Sequence, residues 1–442
     1  TTYSKSEKTN YEIKNQLSDG DINLYSGTED QKIKYLSRSN YLDTYPVTAV
    51  KLSCTNPTMI YDMQYGHGDI ESVGEKPIFD AVTSQMGKLT LAMLMKLDYD
   101  DPMWQDLLNQ MSFEEMNKML SGGYLNVYGA TSVAARGGAA ADGTSGVRRD
   151  NPTLKTQMGF PTQTVMAQTW NLPLIEKLGV AFGHECLHTN CIELYAPGAN
   201  MHRNPYGGRN WEYYSEDSFI SGKMLGAEVK GIQKKGIIVC AKHFAFNEQE
   251  MNRCGVTTWL NEQNARETYL RVFEIGIEDG KIASLMSSFP RLGCRWVGNY
   301  SGLFTDILRK EWRFNGYVET DSAFDQPYMT VTKARAEGIV AGVDFWMDGS
   351  PSMQFADYSN NATVLNALRE STHRMLYALL HSSAMNGISS DTVIVEITPY
   401  WKKAIVIAQV SFGVLAGICL IMTTTSFVLY QKNKNKNLKE NA

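Results

Sequence analysis

Basic charge is not in excess in this chain. Its 442 residues carry 42 lysines and arginines against 47 aspartates and glutamates, a net charge of −5. Nucleic-acid binding needs a basic face, so that class of partner is excluded as an expectation. Paired cysteine motifs are missing as well. Cys54, Cys186, Cys191, Cys240, Cys254, Cys294 and Cys419 make an odd number with no C-x-x-C spacing. That leaves neither a disulfide framework nor a zinc ribbon. No G-x-G-x-x-G follows an apolar run, which argues against a dinucleotide-binding sheet. No repeat or low-complexity tract occurs outside the Lys/Asn-rich tail. No signal peptide is visible, and the first residue is Thr, so a region upstream of Thr1 is expected.

Charge is absent altogether from Ala404 to Tyr430, "AIVIAQVSFGVLAGICLIMTTTSFVLY". At about 1.5 Å per residue such a helix exceeds a hydrocarbon core of roughly 30 Å. Lys402 and Lys403 precede it; Lys432, Lys434, Lys436 and Lys439 follow. The heavier positive side predicts a single pass through the cell membrane, a cytoplasmic tail and an extracellular bulk.

What remains is a polar connector (1–95), a central region (96–350), a helical flank and linker (351–403), the apolar helix (404–430) and the tail (431–442). The connector's most distinctive piece is "YLSRSNYLDTYP". In "DDPMWQDLLNQMSFEEMNKMLSGG", Met103, Leu107, Leu108 and Met111 predict one helix closed by Gly122 and Gly123. Five apolar runs follow: 192–200, 236–244, 281–289, 316–324 and 338–349. Amphipathic stretches such as "FISGKMLGAEVKGIQKKG", "NEQNARETYLRVFEIGIEDG" and "GLFTDILRKEW" separate them. Strand–helix units at this spacing predict a parallel sheet of the α/β class, a (β/α)8 TIM-like barrel.

Polar residues gather where the runs end. Asp142, Arg209, Lys242, His243, Met286 and Asp321 form a cup suited to a ligand covered in hydroxyls. A carboxylate accepts two sugar hydroxyls, a neighbouring cation keeps it ionised, and an ionised aspartate can attack an anomeric carbon. Trp211, Tyr213, Tyr214 and Trp296 are candidates to cover sugar rings. Each polar residue also has a structural reading. Asp142 caps a turn before Gly143, Arg209 pairs with Glu212 or Asp217, Lys242 and His243 form a satisfied strand-end pair, Asp321 caps the next segment, and Met286 fills core.

"FPTQTVMAQTWN", "LYAPGANMHRNPYGGRNWEYYSED", "KHFAFNEQE", "RETYLRVFE" and "GYVETDSA" occur in this order. Together they closely resemble the barrel domain of glycoside hydrolase family 3, of the β-glucosidase type. The resemblance implies a retaining β-glycosidase acting on terminal β-linked sugars, with no cofactor. It implies that Asp321 is the nucleophile and that Asp142, Arg209, Lys242, His243 and Met286 contact the sugar. It makes Glu248 and Glu250 structural. Two departures concern subsite preference: Ser322 follows the nucleophile where the family often has Trp, and Ser288-Phe289-Pro290 replaces "SYN". A third concerns the general acid/base, which the family usually carries on an α/β sandwich domain. That domain is expected upstream, in cis as in domain-permuted members, or in trans.

Two competing readings remain. One is a membrane-tethered sugar-binding protein without turnover. The other is a zinc protease built on "HECLH", with His184 and His188 as ligands, Glu185 as base and Glu212 as third ligand. The family resemblance instead puts that stretch on an ordinary barrel helix.

Overall fold

The structure, a computed structural model, describes residues 4–26, 28–35, 57–65, 68–80, 88–148, 158–324, 326–349, 352–395, 397 and 399–440. Apart from Tyr35, "YLSRSNYLDTYP" lies outside them. The chain divides into two units, residues 1–393 and 394–442.

The first unit is organised by a sheet of six strands: β1 (Asn126–Val127), β2 (Gly138–Asp142), β3 (Cys191–Tyr195), β4 (Ile238–Phe244), β6 (Ser284–Ser287) and β9 (Tyr317–Glu319). Three short strands, β5 (Thr257–Thr258), β7 (Arg291–Leu292) and β8 (Arg295–Trp296), form a second sheet beyond the ends of β4 and β6. From β2 to β9 every neighbouring pair in the main sheet is parallel, and β1 is antiparallel to β2. β3 and β4 are wholly buried, as expected of parallel strands covered on both faces.

Eight strands were expected; among the described residues the main sheet has six and forms a half-barrel. The gap between β9 and β1 is crossed by residues 344–348 as irregular chain. Thr320 donates its N–H to the Phe345 carbonyl (2.9 Å), and Gly123 donates to the Trp346 carbonyl (3.0 Å). The fifth apolar run, 338–349, is therefore only partly strand-like. Its first residues complete the helix Thr332–Ala341, and Gly342, at φ 117°, ends that helix. The long helix predicted over 103–121 is two helices, Met103–Asn109 and Phe113–Met119. Ser112 starts the second by accepting the Glu115 N–H (3.0 Å), a cap that outweighs continuous apolar spacing.

Helices form where capping residues precede apolar periodicity. Asn171 caps Leu172–His188, Asp217 caps Ser218–Gln233, and Asn361 caps Ala362–Leu380. The first two helices pass at Gly179 and Gly231, where a Cβ on either would meet the other's backbone. Trp104, Phe182, Phe244, Phe273, Phe304, Tyr317 and Trp346 fill the core. Asp344 holds the crossing segment: its buried carboxylate accepts from Val318 N, Arg309 and Ser371, and pairs with Arg374.

Parts of the connector lie on this unit. Leu17 is buried, and its N–H donates to Glu262 (2.9 Å). The flank does the same: Arg369, on Ala362–Leu380, donates to the Gln105 carbonyl and the Asn109 side chain (both 2.7 Å). Among the described residues the second unit contains one helix, Tyr400–Glu440. It is long and apolar enough to cross a membrane, and Ile407, Leu415, Ile421 and Phe427 are exposed on it.

Candidate functional site

Side chains alternate along a strand, so residues two apart share a face. On β2, β4 and β6 the inward residues nearest the C-terminal ends are Asp142, Lys242 and Met286. Asp321 lies just past β9, two residues after Glu319. These four, with Arg209 and His243, line one cavity of about 400 Å³. The six residues singled out from sequence thus converge. A larger cavity of about 760 Å³ opens at the opposite end, near Ile237, Ala283 and Gly316, with a mostly apolar lining. The polar convergence, rather than size, marks the smaller cavity as the candidate site.

Lys242 Nζ donates to Asp142 Oδ1 (2.7 Å), and the Gly143 N–H donates to the same oxygen (2.9 Å). Burial works against ionisation of Asp142, but the adjacent ammonium outweighs it, so its carboxyl stays below the ordinary value. His243 Nε2 lies 3.6 Å from Asp321 Oδ2. Burial, joined by the charges of Arg209, Lys242 and Arg253, pushes His243 well below the usual imidazole range. The ring is therefore neutral. Asp321 Oδ1 accepts the Ser322 N–H (2.7 Å), while the buried Oδ2 has no hydrogen-bond partner among the described residues. Burial raises the Asp321 carboxyl, against the pull of Arg253, Arg209 and Lys242. The site thus holds a buried carboxylate with one oxygen free of hydrogen bonds among the described residues, beside His243 and, at 4.0 Å, Arg253.

Several structural readings hold alongside this convergence. Arg209 does pair with Glu212, and Asp142 does cap Gly143. Both side chains nonetheless face the cavity.

Sequence reading missed Arg253, Glu250, Tyr124, Tyr195 and Met347, which also line it. Glu250, expected to be structural, stands 3.6 Å from Arg209 and 3.4 Å from Arg253. The signal was present: Arg253 follows Glu250 by three residues, a pairing distance on a turn. Glu248 matches its expectation. It is buried and receives Asn200 Nδ2 (3.3 Å). The proposed aromatic platforms are a correction. Tyr213, Tyr214 and Trp296 are buried in packing, Tyr214 donating to Glu228 (2.6 Å) and Trp296 to the Ser288 carbonyl (2.8 Å). Trp211 is exposed and outside the cavity lining. The aromatics that reach the cavity are Tyr195 and the half-exposed Tyr124, the latter edge-on to Phe324 at 5.0 Å.

The HECLH histidines do not assemble a centre with Glu212. His184 and His188 are exposed on Leu172–His188, Glu185 accepts the Met158 N–H (3.1 Å), and Glu212 belongs to Arg209.

Residues 139–379 match the family described as "Glycosyl hydrolase family 3 N terminal domain". The chain is 36% identical over 224 residues to beta-glucosidase A of Butyrivibrio fibrisolvens, covering 49% of this chain and 27% of that protein. It is 39% identical over 184 residues to a beta-glucosidase of Ruminococcus albus (42% of this chain, 19% of that one). Over 231 residues it is 32% identical to an exo-alpha-(1->6)-L-arabinopyranosidase of Bifidobacterium breve (49% and 30%). Among solved structures, beta-glucosidase 3B of Thermotoga neapolitana in complex with glucose superposes with a TM-score of 0.56 at 30% identity, covering 66% of this chain and 44% of that one. The chain spans less than a third of the length of each of these three curated relatives.

Proposed function

This chain belongs to glycosyl hydrolase family 3, and from that premise we propose that it carries the sugar-binding and nucleophilic half of a retaining β-glycosidase. The observation that carries this reading is Asp321: a buried carboxylate just past a strand end that lines the polar cavity, with Oδ2 free of hydrogen bonds among the described residues. In this reading Oδ2 attacks the anomeric carbon, the bond to the leaving oxygen breaks, and a glycosyl ester forms on Asp321. Asp142 and Lys242 hold two hydroxyls between them, each balancing the other's charge. Neutral His243 and Arg209 bind further hydroxyls, and Met286 supplies an apolar floor. The relatives' names support a terminal β-glucoside as substrate, and the arabinopyranosidase among them keeps the sugar's identity at the level of a pyranose.

Retaining chemistry also needs an acid for the leaving oxygen, about 5–5.5 Å from the nucleophile. The other carboxylates lining the cavity are Asp142, bound to Lys242, and Glu250, held between Arg209 and Arg253. The acid/base in this reading comes from an upstream sandwich domain, in cis or in trans. Residues 404–430 cross a bilayer, with the barrel outside the cell and the Lys-rich tail inside.

The decisive experiment is covalent trapping. A mechanism-based fluoro-sugar should add one glycosyl mass to the peptide bearing Asp321, and Asp321→Asn should abolish both trapping and hydrolysis of an aryl β-glucoside. Sugar binding without trapping would favour the non-catalytic reading. Full activity of Asp321→Asn would overturn the assignment.

A further inference from the structure

One layer below the cavity, the barrel interior holds a second polar cluster that the proposed chemistry does not use. Each of its members lies two residues before a cavity residue on the same strand or strand end. Glu193 precedes Tyr195, Cys240 precedes Lys242, Ser284 precedes Met286, and Glu319 precedes Asp321. The register makes them neighbours: Cys240 pairs with Ser284 across β4 and β6, and Met286 pairs with Glu319 across β6 and β9. All four side chains are fully buried.

The ligand atoms of Glu193, Cys240 and Glu319 lie within 4.8 Å of one another. Glu193 Oε1 accepts the Tyr317 hydroxyl, but Glu193 Oε2 and both oxygens of Glu319 have no hydrogen-bond partner among the described residues. The Ser284 hydroxyl, also without a bond of normal geometry, is turned toward Glu193 and Cys240. The Cys240 thiol faces Glu319, and a thiol is a weak donor. The nearby cation, Lys242, is already committed to Asp142 at 2.7 Å. A buried unpaired acceptor costs about 1–3 kcal/mol, more if charged, so three on two carboxyls ask for a compensating ligand.

We propose that Glu193, Cys240 and Glu319 bind a divalent ion of the zinc class, with Ser284 placed as a fourth donor. A sulfur and two carboxylate oxygens exclude magnesium and calcium, which take oxygen ligands, and suit a borderline-soft ion in tetrahedral geometry. The donors come from β3, β4 and β9, so the ion fastens three strands from within. Two of those strands lead directly into Lys242 and Asp321, which makes the ion a positioning element for the cup. The inference rests on the buried cluster alone and stands whether or not the chain turns over glycosides.

The test is metal content of the full-length chain, untagged and purified after growth with zinc, by inductively coupled plasma mass spectrometry. About one zinc per chain is expected, retained through gel filtration. Cys240→Ala and Glu319→Gln should lose it, while His184→Ala/His188→Ala should keep it. Because a core variant can fail to fold, the wild-type chain provides a second measurement. Dialysis against a chelator should lower its melting temperature, zinc alone should restore it, and cobalt should give a thiolate charge-transfer band. Wild-type protein without stoichiometric metal, with a melting temperature indifferent to zinc and no such band, would show that protons neutralise the cluster and would overturn the proposal. Zinc held equally by Cys240→Ala would overturn it too.

Discussion

At the scale of residues, the cup works by pairing opposite charges and leaving one oxygen over. Lys242 is almost fully buried, so its ammonium depends on Asp142 for compensation. Replacing Asp142 by Ala strands that charge and, in the proposed reading, removes an acceptor for sugar hydroxyls. A charged hydrogen bond contributes roughly 1.5–3 kcal/mol, so kcat/KM should fall about ten- to more than a hundred-fold. Asp142→Asn, which keeps the shape and the Gly143 contact, should fall less. Equal activity of Asp142→Ala and wild type on an aryl β-glucoside would remove Asp142 from the site. Arg253 belongs at this scale as well. Its guanidinium is 4.0 Å from Asp321 and stacks over Phe289 at 4.7 Å, so a planar ring and a carboxylate fix its position together.

At the scale of elements, the helix Ser218–Gln233 buries a carboxyl in the wall of the barrel. Glu228 is fully buried, accepts the Tyr214 hydroxyl at 2.6 Å, and is pushed by burial up to about 7. Glu248, in the loop after β4, is likewise pushed by burial up to about 7. In the unfolded chain a glutamate titrates near 4.3. Both groups therefore hold a proton in the folded state that the unfolded state has already released. Their contribution to stability is complete below pH about 4.3 and is lost as pH rises toward and through 7, up to roughly 3 kcal/mol each at the top of that window. The melting temperature should fall between pH 5 and 8. Glu228→Gln with Glu248→Gln should flatten the decline in differential scanning calorimetry. An unchanged slope in the double variant would show that other groups carry the pH dependence.

At the scale of the whole molecule, two predictions concern what the chain needs around it. If the acid/base lies outside these residues, the chain alone should hydrolyse cellobiose poorly and a dinitrophenyl β-glucoside relatively well, since only the former leaving group needs protonation. Azide, which attacks the glycosyl ester without a base, should raise the second rate further. Rapid cellobiose turnover by the isolated chain would place the acid/base within it. The apolar helix gives the other prediction. Protease added to intact cells should remove the barrel and spare the Lys-rich tail, and carbonate extraction should leave the chain in the membrane fraction. Release by carbonate would exclude a spanning segment.

By itself the sequence determined the periodic features and the ends of the buried runs. Four of the five apolar runs contain parallel strands, because a strand buried on both faces must be written as continuous hydrophobic sequence. Lys242, His243 and Asp321 stood out because polar residues at the end of such a run have no core to join. The apolar part of the helix Tyr400–Glu440, residues 404–430, was legible for the same reason in reverse, as a long stretch with no charge. Tertiary structure alone decided what depends on residues far apart in the chain. The gap between β9 and β1 is crossed by irregular chain at 344–348, held where Asp344 spends its oxygens on Val318, Arg309, Ser371 and Arg374, and no local pattern announces such a network. Tyr213, Tyr214 and Trp296 read as sugar platforms but pack inward, because an aromatic side chain serves either use and only its surroundings choose. Glu193, Cys240 and Glu319, up to 126 residues apart in sequence, meet only when β3, β4, β6 and β9 lie side by side. Each sits inside a run that otherwise reads as core, and the parallel register, not the sequence, brings their ligand atoms to one point.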